Sequence, residues 1–462
     1  MLNKRSIGFF AGIAAAIIIM LLPLERSGLG AAGQRCLALT LMTIVWWALD
    51  VAQSGFVGGA YLAALLIFGV AEPSLVFKAW YGSSTMWLVV GAYMIAGAVK
   101  DSGLGERIAY TLIRRLVKGY NSVIVTVFLL TFVLSLLIPH PWPRAFLIMS
   151  VMAVVIKSAG IPREDAVKIG FAVFAAEVPI SLIFLTGDSV INPLAAAYVS
   201  DMEMGWIEWF VCMGVPSIVA SIITMVMLLI LFRPKSELRI DTAVAAEKQA
   251  ALGKLTALEK RTLFWVSAAI LLWLTEGLHG INVGWITFGI AVVMGMPCVG
   301  EVLKAKSWSS VPANVLVFLT AAMAIGAVGN ATGMNAWIAE VLIPDSLSAN
   351  IWLLALIIAV ISMVIHMFMG SVIAVMGVVI PALLAVTEPM GISSMAVSLI
   401  VYMAIASHYV LPFHHLDILV GVGEENGMFT EKETVRFGLS FIIPVFALVI
   451  IQVLWWNILK LI

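Results

Sequence analysis

Five of the six histidines stand at or near interruptions of long apolar runs: His140, His366, His408, His414 and His415. Three acids, Glu177, Asp188 and Asp417, lie inside such runs, with Asp50 and Glu276 nearer their ends. An ionisable group inside a membrane span is costly and is by default a functional candidate. Imidazole titrates near neutral pH, so His414 and His415, with Asp417 beside them, suit a site that takes up protons. Glu177 and His408 suit a buried proton-sharing pair. Asp188 and Asp417 each suit a cation site completed by unwound carbonyls, or a proton carrier; for Asp188 the plainer role is to cap the short helix after it. His366, between methionines, suits packing. Arg144 is the one base at a chain interruption, and its rigid fork pairs with a carboxylate or a sulfate. It serves either a bound anion or an internal ion pair with Asp188 or another acid. No HExxH or CxxC pattern occurs, so no metal site or cofactor is expected.

The runs that must hold these groups are membrane spans. Of 462 residues, 62% are hydrophobic and 11% charged, against about half and a quarter in soluble domains. A water-soluble globule, a disordered chain and a nucleic-acid binder are excluded as leading readings. The three cysteines are far apart and read as buried thiols rather than a disulfide framework. The basic start (Lys4, Arg5) and the apolar run after it read as a retained first span. A span needs roughly 20 apolar residues. Two pairs of runs are broken, at Pro139 to Arg144 and at Gly370-Ser371, and read as re-entrant hairpins over 121–158 and 350–387. With these not crossing, eleven spans remain. The N-terminus is then cytoplasmic and the C-terminus outside. All Lys and Arg fall inside except Arg26, Arg35, Lys78 and Lys460 outside and Arg144 at a hairpin tip. Pairs of tryptophans (Trp46-Trp47, Trp206 and Trp209, Trp455-Trp456) suit interface belts, while Trp142 at a tip would narrow a site or stack on a flat substrate.

The polar stretch 233–261 divides two similar halves and reads as a cytoplasmic linker. GLGERIAYTLI from Gly103 and GMNAWIAEVLI from Gly333 match at an offset of about 230 residues, with bases only in the first copy. The same shift carries the first break onto the second and brings Asp188 within one residue of Asp417. The expected class is therefore an all-α polytopic membrane protein with two inverted five-span repeats containing broken helices. Its units are a first span (1–32), repeat 1 (33–232, broken helix 167–200), the linker (233–261) and repeat 2 (262–462, broken helix 393–424). Inverted repeats with broken helices mark secondary transporters.

WLVVGAYMIAGAVKDSGLGERIAYTLI, from Trp87 to Ile113, and the order of spans, hairpins and breaks resemble the divalent anion/sodium symporter family. The resemblance implies a homodimer in the inner or plasma membrane, with a scaffold and a moving domain. It also implies elevator-type alternating access for di- and tricarboxylates or sulfate. The family's Ser-Asn-Thr tip motifs fall on His140, Pro141 and Trp142, and on Ser371, Val372 and Ile373, where only Ser371 is shared. Its Thr-Pro-Pro-Asn loop falls on Ser189 to Asn192, where Asn192 is shared; the counterpart falls near His414 to Asp417. These positions hold substrate and sodium in the family. The expected function is a secondary active transporter of small anions, coupled to sodium or protons or working by exchange. The alternatives are a carrier of a cation or neutral solute on the same fold and, remotely, an intramembrane enzyme; no enzymatic activity is expected.

Overall fold

The computed structural model describes residues 4–49, 51–81, 84–234, 242–342, 350–388 and 390–462. Asp50, part of the linker (235–241) and part of the long loop after Asn330 (343–349) lie outside the described residues. The described chain is helical, with one isolated bridge between Val422 and Phe429.

A first helix, α1 (Lys4–Leu21), packs on α2 (Ala31–Ala48). There follow α3 (Ser54–Ile67), α4 (Thr85–Ser102), α5 (Leu104–Leu116), α6 (Tyr120–Ser135), α7 (Pro141–Ser158), α8 (Arg163–Ser181), α9 (Ile191–Ala196) and α10 (Trp206–Leu231). After α11 (Ala243–Ala251) come α12 (Ala257–Leu274), α13 (Val283–Met294), α14 (Ala313–Ala331), α15 (Met334–Leu342) and α16 (Ile351–Met369). The chain closes with α17 (Val372–Thr387), α18 (Ser394–Ser407), α19 (Leu416–Gly421) and α20 (Glu431–Ile458). Helices α2 to α10 thus recur in kind and order as α12 to α20. Their packing is exchanged between the halves: α3 lies on α14 and α4 on α13, while α9 lies on α18 and α19 on α8. At the α4–α13 crossing a Cβ on Gly91 would stand 2.7 Å from the backbone of Thr287 and Phe288, so the two helices meet backbone to backbone.

Among the described residues four helices, α10, α14, α16 and α20, are long and apolar enough to cross a membrane, and six more are apolar but of 10–17 residues. Outer faces carry exposed apolar side chains at helical spacing: Ile222, Val226 and Ile230 on α10, and Val360, Val364 and Phe368 on α16. Water would penalise such stripes, and lipid does not. The tryptophans divide differently from the interface-belt expectation. Trp46, Trp206, Trp209 and Trp456 are buried, because each indole N–H finds a partner inside the protein. Cys36 and Cys212 are buried as expected, but Cys298 is exposed.

The linker is more than a tether. Its helix α11 packs on α5 and α7. Arg107 of α5 reaches the carbonyls of Leu252 and Gly253 (3.1 and 2.8 Å) and grips Glu259 of α12 with two bonds of 2.6 and 3.0 Å. Glu259 also closes a capping box with Thr256.

Candidate functional site

Two chain breaks and two hairpin tips meet in the buried core. The first break separates α8 from α9, the second α18 from α19. The first tip lies between α6 and α7, the second between α16 and α17.

At the first tip His140 is the N-cap of α7, and Pro141 follows at the position where a missing N–H costs nothing. The Trp142 amide donates to His140 Nδ1 (3.2 Å). The ring proton is therefore on Nε2, facing Tyr93 Oη of α4 at 2.5 Å. Arg144, one turn on, is fully buried and fully used. Its Nε and one terminal nitrogen both meet Glu177 Oε2 at 2.6 Å. That terminal nitrogen also donates to Ser181 Oγ (2.7 Å), and the other donates to the carbonyls of Ile138 (3.0 Å) and Gly187 (3.2 Å). A guanidinium has five N–H groups, and each has an acceptor. Of the two roles open to Arg144, a bound anion or an internal ion pair, the side chain here makes the ion pair, with Glu177 rather than Asp188, and ties the first tip to α8 and the first break. Glu177 belongs to this ion pair and not to His408, so the expected Glu177–His408 pair does not form. Glu177 Oε1 remains buried without a partner.

In the first break Asp188 Oδ1 accepts the amides of Val190 (2.9 Å) and Ile191 (3.1 Å) and so caps the turn into α9. Ser189 ties the break to the tip through its amide and the Pro139 carbonyl (3.3 Å), while its hydroxyl is buried and unpartnered. Asn192 spends its amide on the carbonyls of Ser181 (2.7 Å) and Phe184 (2.9 Å), and its oxygen accepts from Tyr402 of α18 (2.5 Å). Asn192 thus braces the first break against α18. Trp206 and Trp209 hold the same break through Thr186 Oγ1 and the Leu182 carbonyl.

The second break divides these jobs otherwise. His415 Nδ1 caps α19 by accepting the Asp417 amide (3.3 Å), which frees the Asp417 carboxylate. Its Oδ1 accepts the indole N–H of Trp142 (2.9 Å), and its Oδ2 is buried and unpartnered, 3.8 Å from His415 Nδ1. Trp142 thus ties the first tip to the acid of the second break. Asp188, Asp417 and His415 are close enough for their charges to interact, and Tyr93 and Tyr402 stand within reach of both acids. At the second tip Gly370 takes the left-handed backbone (φ +61°), Ser371 Oγ caps α17 through the Ala374 amide (3.4 Å), and Val372 and Ile373 are buried. Beside it His366, His408 and His414 form a contiguous buried cluster. His366, which reads from the sequence as packing among methionines, also hydrogen-bonds the His414 carbonyl. Tyr93, Ser181 and Tyr402 gave none, being single polar residues in apolar runs. Among the described residues no group of three or more His, Cys, Asp and Glu could hold a metal ion.

The site's charge follows. Arg144 neutralises Glu177. Among the described residues Asp188 and Asp417 have no Lys or Arg within ion-pairing distance, and the one basic side chain that near is His415, 3.8 Å from Asp417. Glu177 Oε1, Ser189 Oγ and Asp417 Oδ2 are buried oxygens with nothing bound to them. A cavity of about 500 Å³ lies at the α4–α9–α14 junction, between the halves. Lys78, Thr85, Leu194, Tyr198, Glu203 and Asn330 are among its lining residues.

A helical protein with lipid-suited faces, two helical hairpins and buried acids at two breaks has the features of a membrane transporter. The family described as "Sodium:sulfate symporter transmembrane region" matches residues 3–462, and the chain belongs to that family of integral membrane transporters. A "Membrane protein" of Cupriavidus necator is 24% identical, over 96% of this chain and 91% of its own. The "Putative malate transporter YflS" of Bacillus subtilis is 24% identical, over 75% of this chain and 74% of its own. An "L-tartrate/succinate antiporter" of Escherichia coli is 25% identical, over 72% of this chain and 74% of its own. Among solved structures, the Alcanivorax borkumensis YdaH transporter superposes with a TM-score of 0.52 at 15% identity, covering 91% of this chain and 98% of that one. The likeness concerns the fold alone.

Proposed function

We propose that this protein is a secondary active transporter of small dianions of the di- or tricarboxylate or sulfate class, in which the anion binds together with protons or sodium ions. The observation that carries this reading is the pair of uncompensated acids, Asp188 and Asp417, beside three orphaned buried oxygens. Buried polar atoms without partners call for a missing water or ion. Oxygen donors suit a hard cation such as sodium. A dianion cannot approach two buried carboxylates until positive charge has entered with it. Asp188 and Asp417 are then the coupling residues, with Ser189 and His415 beside them. Ser371 and the polypeptide at both tips, including His140 and Trp142, meet the substrate.

The recurrence of α2 to α10 in α12 to α20, with exchanged packing, supports an inverted repeat. Eleven spans follow, with the two half-helix pairs re-entering rather than crossing, the N-terminus cytoplasmic and the C-terminus outside. The tips and breaks form a unit that moves as an elevator against a scaffold of α2 to α4 and α12 to α14. The assembly is a homodimer, as the family resemblance implies. Exchange of one anion for another uses the same groups, and the likeness to a tartrate/succinate antiporter favours it as the second reading. Uptake of labelled succinate or sulfate into proteoliposomes, with sodium or proton gradients imposed separately, tests the proposal. A gradient-driven, saturable uptake is expected, and transport of a cation or a neutral solute instead would refute it.

A further inference from the structure

The hydrogen bonds of His366, His408 and His414 fix the protons of all three rings. His366 Nε2 lies 2.9 Å from the His414 carbonyl oxygen, and only an N–H is favourable there. His414 Nδ1 accepts two backbone amides, those of Val410 (3.1 Å) and Leu411 (3.2 Å), so it is bare. The His414 proton is then on Nε2, drawn toward the Met367 carbonyl without closing a hydrogen bond. The His366 ring thus addresses the His414 backbone, and the second hairpin arm is fastened to the second break. With Nε2 protonated, neutral His366 has a bare Nδ1. That atom lies 3.4 Å from His408 Nδ1, so His408 must donate through Nδ1. One ring nitrogen in the trio is left with a lone pair and no hydrogen-bond partner among the described residues: His408 Nε2.

We propose that these three histidines form a site for a single proton, received at His408 Nε2. Uptake there converts His408 to an imidazolium and breaks none of the trio's hydrogen bonds. A proton on His366 Nδ1 would instead set two N–H groups against each other, and one on His414 Nδ1 would displace two backbone amides. The new charge lies beside the His414 ring, nearly parallel to His408 with centroids 5.9 Å apart and 18° between the planes. His366 comes from α16, and His414, His415 and Asp417 come from the second break and α19. Helix α17 carries no titratable side chain, α18 carries Tyr402, and α8 offers Glu177, already paired with Arg144. The charged residues of α20 all lie between Glu431 and Arg436. The site is distinct from Asp188 and Asp417, and it acts on the contact between the second tip and the second break.

The proton's role in transport rests on the reading above, but the site itself does not. Ring-nitrogen chemical shifts of the ¹⁵N-histidine-labelled full-length protein in nanodiscs report each tautomer. Loss of one signal set in each of His366→Gln, His408→Gln and His414→Gln assigns them. The expected result is His408 protonated at Nδ1, the other two at Nε2, and His408 alone of the trio becoming an imidazolium first on acidification. A His408 ring protonated at Nε2, or His366 or His414 charging first, or no member of the trio charging before the protein unfolds, overturns the proposal. In proteoliposomes held in saturating sodium, so that Asp188 and Asp417 need no proton, His408→Gln should bring the ratio of succinate uptake rates at about pH 5.5 and 7.5, either side of the ordinary imidazole value, from its wild-type value to about one. An unchanged ratio removes the proton site from transport. Failure of the wild type to move any dianion would refute the transport reading, while the tautomers would still decide the site.

Discussion

The indole N–H of Trp142 donates to Asp417 Oδ1 at 2.9 Å, joining the tip of the first hairpin to the break of the second half across 275 residues of sequence. Among the described residues it is the sole hydrogen-bond partner of Oδ1, and Oδ2 has none. Trp142→Phe keeps the ring and removes the N–H. An unmet buried acceptor costs roughly 1–3 kcal/mol, more when charged. The variant should melt lower without sodium at neutral pH and recover part of the loss with sodium or acid. Differential scanning fluorimetry in sodium and in choline reads this, and equal melting losses in every condition would separate Trp142 from the coupling site.

Arg144 and Glu177 should behave as a structural pair. Removing one partner of a buried pair costs about 3–5 kcal/mol, whereas replacing both with apolar groups of similar volume is often neutral. Arg144→Met and Glu177→Met should each lower the melting temperature sharply, and the double variant should recover most of it. The double variant should also keep anion binding. If it folds and loses the succinate-induced thermal shift, Arg144 is a substrate ligand after all.

Much of this arrangement was legible from residue order alone, and the limits have physical causes. The breaks, the tips and the recurrence of elements follow from where apolar periodicity stops. Asp188, Asp417 and the histidines stand out because each is costly where it lies. Which acid Arg144 chooses is another matter: Glu177 and Asp188 are both candidates by distance along the chain, and only the packing of α7 on α8 decides. Burial of Trp206 and Trp209 was hidden for the same reason, since an indole suits an interface belt and a buried hydrogen bond equally well. The hydrogen bond from His366 to the second break was hidden because its partners, a carbonyl and another ring, leave no periodic trace.

Lys78 lines the cavity between the halves and is exposed. A cation at such a mouth concentrates anions and acts mainly on the rate of encounter. Lys78→Ala should raise KM for succinate by about two- to fivefold with kcat unchanged, and the difference should shrink at high salt, as expected of an electrostatic contribution of order 1 kcal/mol at an exposed position. Kinetics in proteoliposomes at two salt concentrations check it. A fall in kcat instead would place Lys78 in the moving parts.

On the polar side of the fold, the Arg107 guanidinium beside Glu259 holds its carboxyl below the usual carboxylate range. A depressed folded value contributes stability that is present above the unfolded value, about 4.3, and is lost as pH falls through the lower folded value. The melting temperature should decline across that acid window in the wild type and decline less steeply in Arg107→Gln. Parallel curves from about pH 6 downwards would show that the grip on the linker contributes nothing to stability.

The central claim is that positive charge must enter at Asp188 and Asp417 before a dianion can bind. It is tested most directly by isothermal titration of the purified protein with succinate and with sulfate. The titrations compare sodium with choline at about pH 7.5 and 5.5, for the wild type and for Asp188→Asn/Asp417→Asn. The account predicts dianion binding that requires sodium or acid in the wild type and becomes independent of both in the double variant. Wild-type binding of equal strength in choline at the higher pH would contradict it.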